Sequence, residues 1–135
     1  MLRTGVAQFA SEIGGFDANI EIHLDWISKA HRENIDLLVM PELSLTGHHG
    51  CEDLLDTAVD RRDARLRRLA KAAGDMAVVV GFIEEGPAAQ FYNSSAILQN
   101  GRVQYLHRKI NIPSYGKLEE GKHYATGRFV DTCHL

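Results

Sequence analysis

The hydrophobic pattern of this chain alternates between short apolar runs and stretches with a helical period. Val6-Ala7-Gln8-Phe9-Ala10 is a short, mostly apolar run that Gly14-Gly15 breaks, which predicts a first strand. Ile20, Leu24, Ile27 and His31 then fall on one helical face with Ala30 beside them. That spacing predicts a helix from about Ala18 to Glu33, with Asp17 as its N-cap and Asn34 as the left-handed residue that ends it. Ile35 to Met40 predicts a second strand, so strand, helix and strand follow one another with short joints, as in a βαβ unit. Cys51 to Asp60 has room for a turn of helix around Leu54 and Leu55. Leu66, Leu69, Ala70 and Ala73 give a second amphipathic helix over Asp63 to Ala73, closed by Gly74. Met76 to Ile83 is an almost unbroken apolar strand, and Glu84 to Gln90 reads as a polar turn. Phe91 to Leu98 and Arg102 to His107 are strands joined across Asn100-Gly101, a tight-hairpin signal. From Asn111 to Gly127 the chain is loop-like, and Phe129-Val130 could begin one more strand. Strands that alternate with helices place the chain in the α/β class, with a mixed sheet.

Composition narrows the choice of function without naming one. Apolar residues make up 44% and charged residues 24%, in the ordinary range for a globular domain. The formal net charge is −3, so no overall basic character recommends nucleic acid or an anionic membrane as partner. The arginines at 61, 62, 65, 67 and 68 form a basic run, but acids are interspersed and no stacking aromatics accompany them, which reads as a solvated helix face. Cys51 and Cys133 make neither a disulfide framework nor a zinc site and fit a reducing compartment. Glu12 arrives before any long apolar run develops at the amino terminus, and no stretch approaches a membrane span. The expected location is the cytoplasm.

Candidate chemistry gathers at the ends of elements. Leu37 to Met40 reads as a strand buried on both faces, Pro41 ends it, and Glu42 follows at once. A carboxylate there either caps a following turn or serves a site, and the stretch alone leaves both readings open. Lys109 ends another strand, and Glu120 lies in a glycine-bearing loop soon after. An acid, a lysine and a second acid at element ends could converge on one cleft, with the lysine held charged and at least one carboxylate ionised. The neighbouring His48 and His49 invite a metal reading, but adjacent histidines on an extended loop point apart and no third ligand follows at useful spacing. No glycine-rich phosphate loop is present.

Together these residues resemble the nitrilase, or carbon–nitrogen hydrolase, superfamily. The likeness runs from Val6-Ala7-Gln8 and Asn19 through Asp36-Leu37-Leu38-Val39-Met40-Pro41-Glu42-Leu43-Ser44-Leu45-Thr46-Gly47. It continues with Tyr92-Asn93-Ser94-Ser95-Ala96, the Asn100-Gly101 turn and Arg108-Lys109. The branch it most resembles is the glutaminase domain of glutamine-dependent NAD⁺ synthetases. The stretch Lys109-Ile110-Asn111-Ile112-Pro113-Ser114-Tyr115-Gly116, with Leu118-Glu119-Glu120, Tyr124 and Gly127 after it, carries that likeness, and Glu52-Asp53-Leu54-Leu55 adds to it. His48 stands where that branch usually has tyrosine.

The resemblance implies half of a four-layer α-β-β-α sandwich, with helices on one face of a mixed sheet. It implies a Glu–Lys–Cys constellation that cleaves a linear amide through a thioester, with glutamine the first candidate. Glu42 would be the general base, Lys109 the oxyanion stabiliser, Glu120 the supporting acid and Tyr115 a substrate-pocket residue; no metal or organic cofactor is needed. The family's cysteine sits in an elbow between a buried strand and a helix. Cys133 has neither around it, and Cys51 lies in another region. Residues 1–135 are therefore expected to be a single, incomplete domain, the amino-terminal half, inactive by itself. Its expected partners are a small amide and either a complementary half-domain or further copies of itself. The alternative is a non-catalytic binding or assembly module that lacks the nucleophile.

Overall fold

A computed structural model describes residues 1–48, 54–115 and 120–134; His49, Cys51, Gly116, Leu118 and Glu119 lie outside the described residues. The sheet has five strands in the order β1-β2-β3-β4-β5, namely Thr4–Val6, Leu37–Val39, Ala77–Glu85, Phe91–Gln99 and Arg102–Arg108. The first three strands run parallel, and β4 is antiparallel to both β3 and β5. This is the expected mixed α/β sheet. The crossover from β1 to β2 is helix α1, Phe16–Arg32. The crossover from β2 to β3 carries the short α2, Leu54–Thr57, and then α3, Ala64–Ala73.

One core joins both long helices to one face of the sheet. Ile20, Ile27 and Ala30 of α1 meet Leu66, Leu69, Ala70 and Ala73 of α3 over Leu38, Val78, Val80, Phe82, Ala96 and Leu98. The opposite face is far less covered. A single cross-strand row, Val6–Val39–Val79–Ile97–Tyr105, runs over all five strands. Val6 is 76% exposed and the other four are half-buried. The central strands thus read as continuous apolar runs, although only one face meets helices.

Several boundaries depart from the sequence reading. β1 ends at Val6 instead of reaching Ala10, because the chain leaves the sheet there to pass over the loop behind β2. Ser11 Oγ donates to Ser44 O (2.8 Å) and Gly14 N to Thr46 O (3.1 Å) on that path. The N-cap of α1 is Gly15, not Asp17; the Asp17 side chain lies exposed, 3.5 Å from Arg65. His31 is exposed and contacts Ala72 O, while His23 takes a buried place on the helix. Asp63 is the N-cap of α3, accepting from the Arg65 amide at 2.7 Å. Asn34 ends α1 with φ +52°, and Asn100-Gly101 adopts φ +52° and +75°, which joins β4 and β5 by a tight turn with two left-handed residues. Phe129 and Val130 form no strand; both are largely exposed, and Asp131 N donates to the Tyr105 hydroxyl.

The largest departure is at Glu84, expected in a polar turn. It continues β3 and is 1% exposed. Arg108, two strands away, donates to its carboxylate twice (2.8 and 2.7 Å), and Ser94 Oγ donates a third bond at 2.7 Å. Arg108 also lies over the Tyr92 ring, 3.9 Å from its centroid. A buried carboxylate is tolerated when it is paired and hydrogen-bonded in this way.

Candidate active site

The Glu42 turn follows from its sequence. Met40 N still donates to Val79 O, and Pro41 has no amide to give the sheet. The chain then folds back: Ser44 N donates to Pro41 O, and Thr46 N and Gly47 N both donate to Leu43 O. Leu43 takes φ +50° and Gly47 φ +77°. Left-handed leucine is unfavourable and persists only where its surroundings hold it. Leu43 is fully buried against Ile83 and Tyr124. Gly81 of β3 supplies the space, because a β-carbon there would collide with the Leu43 amide. Leu45 N donates to Gly81 O at 2.9 Å, which ties the turn to β3 a second time.

The turn presents Glu42 to the ends of β4 and β5. Lys109 Nζ donates to Glu42 Oε1 at 2.8 Å and to Glu120 Oε2 at 3.0 Å. Asn93 Nδ2 donates to the same Glu42 oxygen at 2.7 Å. Among the described residues no donor meets Glu42 Oε2. The structure therefore brings together the three predicted residues, Glu42, Lys109 and Glu120, from segments far apart in the chain. Their environments differ. The Glu42 side chain is 52% exposed, Lys109 29% and Glu120 8%.

Burial by itself would raise the Glu42 carboxyl, but the hydrogen bonds from Lys109 and Asn93 and the nearby Lys109 charge outweigh it and hold the carboxyl below its ordinary value. For Lys109, burial works toward the neutral amine, and the bonds to Glu42 and Glu120 overcome it and raise its pKa. At rest Glu42 is thus a carboxylate and Lys109 an ammonium. Glu42 is available as a proton acceptor and Lys109 as a fixed positive donor.

A cleft of about 580 Å³ opens beside the cluster. Glu42, Asn93, Ser95, His107 and Lys109 bring polar groups to its lining, and Val39, Pro41, Val79 and Val130 apolar ones. The cleft is continuous with the less covered face of the sheet. Tyr115, expected in the pocket, is 74% exposed in an adjoining cleft that shares Ile110 and Asn111 with this one. Cys133 does not line the Glu42 cleft; its thiol lies 3.6 Å from His134 O. Among the described residues no group of three or more His, Cys, Asp or Glu is arranged to hold a metal ion. Among them, too, no helix is long and apolar enough to cross a membrane.

Two residues of the cluster were not placed with Glu42, Lys109 and Glu120 from the sequence. Asn93 sits in β4, where asparagine is normally depleted, and that misfit was the available signal. His48, weighed from the sequence as a metal ligand, lies with Nε2 3.5 Å from Glu120 Oε1, and its side chain is 54% exposed. No composition or spacing signal pointed to that contact.

Comparison with known proteins identifies the family. The model of the carbon–nitrogen hydrolase family matches residues 3–132. A glutamine-dependent NAD(+) synthetase from Acinetobacter baylyi is 29% identical over 125 residues, covering 93% of this chain and 23% of the relative. The structure of glutamine-dependent NAD⁺ synthetase from Acinetobacter baumannii in complex with ADP superposes with a TM-score of 0.81 at 27% identity, over 95% of this chain and 24% of that one. An amidase from Nesterenkonia sp. superposes with a TM-score of 0.79 over 95% of this chain and 49% of its own; at 22% identity that likeness speaks to the fold. The chain thus spans about a quarter of the length of the synthetases it matches. With a family model matched over nearly its whole length and a shared fold, the chain belongs to the carbon–nitrogen hydrolases.

Proposed function

We propose that residues 1–135 are the amino-terminal half of a hydrolase domain that cleaves a linear amide, glutamine first among candidates, by Glu–Lys–Cys catalysis. The observation that carries this reading is the placement of Lys109 Nζ within 3.0 Å of both Glu42 and Glu120 beside an open cleft. The cysteine comes from the complementary half of the domain, outside residues 1–135. Glu42 takes the thiol proton, and the thiolate attacks the amide carbon. Lys109 stabilises the oxyanion, in a role that contributes several kcal/mol in such sites. The tetrahedral species collapses to a thioester, and ammonia leaves with the proton that Glu42 held. Water, deprotonated by Glu42, then hydrolyses the thioester and regenerates the thiol. Glu120 holds Lys109 charged and in place. Tyr115 borders the substrate from the adjoining cleft. No metal or organic cofactor enters this sequence. The names of the related synthetases support glutamine as the substrate.

The complementary half covers the row Val6–Val39–Val79–Ile97–Tyr105 and closes the cleft. Without it the chain self-associates through that row and does not hydrolyse amides. The test is ammonia release from glutamine, measured for the chain by itself and after addition of a polypeptide that carries the cysteine elbow. Activity is expected only in the second case and only with Glu42 intact. Release by the chain alone, abolished by Cys133→Ala, would overturn the assignment of the nucleophile.

A further inference from the structure

Behind the Glu42 turn, away from the cleft, lies a buried polar chain that the proposed chemistry does not use. His23 of α1 and Ser44 of the turn are both fully buried. His23 Nδ1 is 2.6 Å from Asn19 O. A carbonyl only accepts, so Nδ1 carries the proton. His23 Nε2 lies 2.9 Å from Ser44 Oγ. The Gly81 amide donates to the same hydroxyl at 3.3 Å, which leaves the hydroxyl proton for Nε2. The chain of donors is then fully assigned: Gly81 N–H to Ser44 Oγ, Ser44 O–H to His23 Nε2, His23 Nδ1–H to Asn19 O. The ring packs against Phe9 in a T-shaped arrangement, with an interplanar angle of 87°. Burial lowers the His23 pKa to about 4, against a smaller opposing effect of the bond to Asn19, so the ring is neutral over the working range.

The same helix reaches the turn again one residue on. Asn19 Nδ2 donates to Leu45 O at 3.0 Å and to Glu12 O at 2.7 Å, while its Oδ1 accepts from Glu12 N. These contacts grip the two residues that follow left-handed Leu43, and Glu42 immediately precedes it. A leucine at position 23 could fill the core, but it would offer Ser44 no acceptor. The hydroxyl would then be free to turn away from the Gly81 amide.

We propose that His23 is a positioning residue for Glu42: as the neutral Nδ1–H tautomer it anchors Ser44 to helix α1 and to Gly81 and thereby fixes the turn that holds the carboxylate against Lys109 and Asn93. The inference rests on the reading of Glu42 as the base of the site. Its experiment reads ionisation and tautomer, not hydrolysis, so the two can fail separately.

Long-range ¹H–¹⁵N correlation on the labelled full chain at neutral pH is expected to show His23 protonated at Nδ1 only. An Nε2–H or doubly protonated ring overturns the proposal. The Glu42 carboxyl is then titrated by ¹³C resonance in the parent chain, Ser44→Ala, His23→Gln, the double variant and Leu69→Ala. Its midpoint is expected to rise toward the ordinary carboxylate value in Ser44→Ala and in His23→Gln, and no further in the double variant. Leu69→Ala, which truncates the same core elsewhere, is expected to lower resistance to urea and leave the Glu42 midpoint in place. An unmoved midpoint in Ser44→Ala, additive shifts in the double variant, or an equal shift in Leu69→Ala each reduce His23 to a core residue and overturn the proposal. Where His23→Gln does not fold, the tautomer and Ser44→Ala decide.

Discussion

Lys109 Nζ lies 2.8 Å from Glu42 Oε1 although the two residues are 67 positions apart in sequence. Each ends a different strand, so their meeting is a product of sheet order: β3 and β4 stand between β2 and β5. Asn93, on β4, bridges the gap by donating to the same carboxylate oxygen, and the Lys109 amide donates to Asn93 O.

Glu42→Gln should separate catalysis from folding. The Glu42 side chain is half exposed, and solvent-accessible ion pairs contribute about 0–1 kcal/mol. Urea unfolding of this variant is therefore expected to stay within about 1 kcal/mol of the parent. In the assembled hydrolase, loss of the proposed general base should lower kcat by about 10²- to 10⁴-fold. A Glu42→Gln enzyme that kept most of its rate would remove Glu42 from the role.

Arg108→Met should behave in the opposite way, damaging the fold first. It would strand the Glu84 carboxylate, 1% exposed, without its charge partner. The expected cost is about 3 kcal/mol or more, read as a lower midpoint in urea. Glu84→Gln combined with Arg108→Met should recover part of that loss, because no buried charge remains.

Gly81→Ala tests the seat of the Glu42 turn. The added methyl group collides with the backbone at Leu43, and backbone cannot yield as a flexible side-chain end can. A loss of about 2 kcal/mol or more is expected, together with a rise in the Glu42 titration midpoint. An unchanged crystal structure of the turn in this variant would contradict the account of why Gly81 is glycine.

His23 predicts an acid limb in the stability profile. Its pKa falls from 6.5 in the unfolded chain to about 4 in the fold, so the unfolded state binds the proton first as pH drops. Stability is complete above about 6.5 and declines as pH falls toward 4, by on the order of 3 kcal/mol. His23→Gln should flatten that limb. The depressed Glu42 carboxyl adds a loss at lower pH, as its folded-state pKa is crossed. Lys109 acts at the other end: its raised pKa gives stability that is full below the ordinary lysine range and is lost as pH rises through the folded value. Chemical denaturation across pH measures all three.

Ile97→Lys probes the less covered face. Ile97 sits in the middle of the row from Val6 to Tyr105, and a charge there opposes burial against any apolar partner. Concentration-dependent association of the parent chain in sizing and scattering measurements is expected, with Ile97→Lys monomeric. A parent that stays monomeric at high concentration would count against that face as an interface.

Local order was largely written in the sequence. The apolar run from Met76, the helix period through Leu66 and Ala73, the Asn100-Gly101 turn and the left-handed Asn34 each depend on a few neighbouring residues, and each was legible there. Glu42, Lys109 and Glu120 were legible as candidates because charged groups at strand ends and in a glycine-bearing loop stand out from their surroundings. What the sequence could not settle was everything that depends on a partner from elsewhere in the chain. Glu84 looked like a turn residue until Arg108 and Ser94 came within hydrogen-bonding reach and made its burial possible. His23 occupied a helical position between Ile20 and Ile27, yet its acceptor role exists only because the Ser44 hydroxyl arrives from a turn 21 residues away. Helix and turn propensities act over a few residues, so sequence determines them directly. A carboxylate's charge, a histidine's tautomer and the use of a glycine are set by atoms that only the folded sheet brings together.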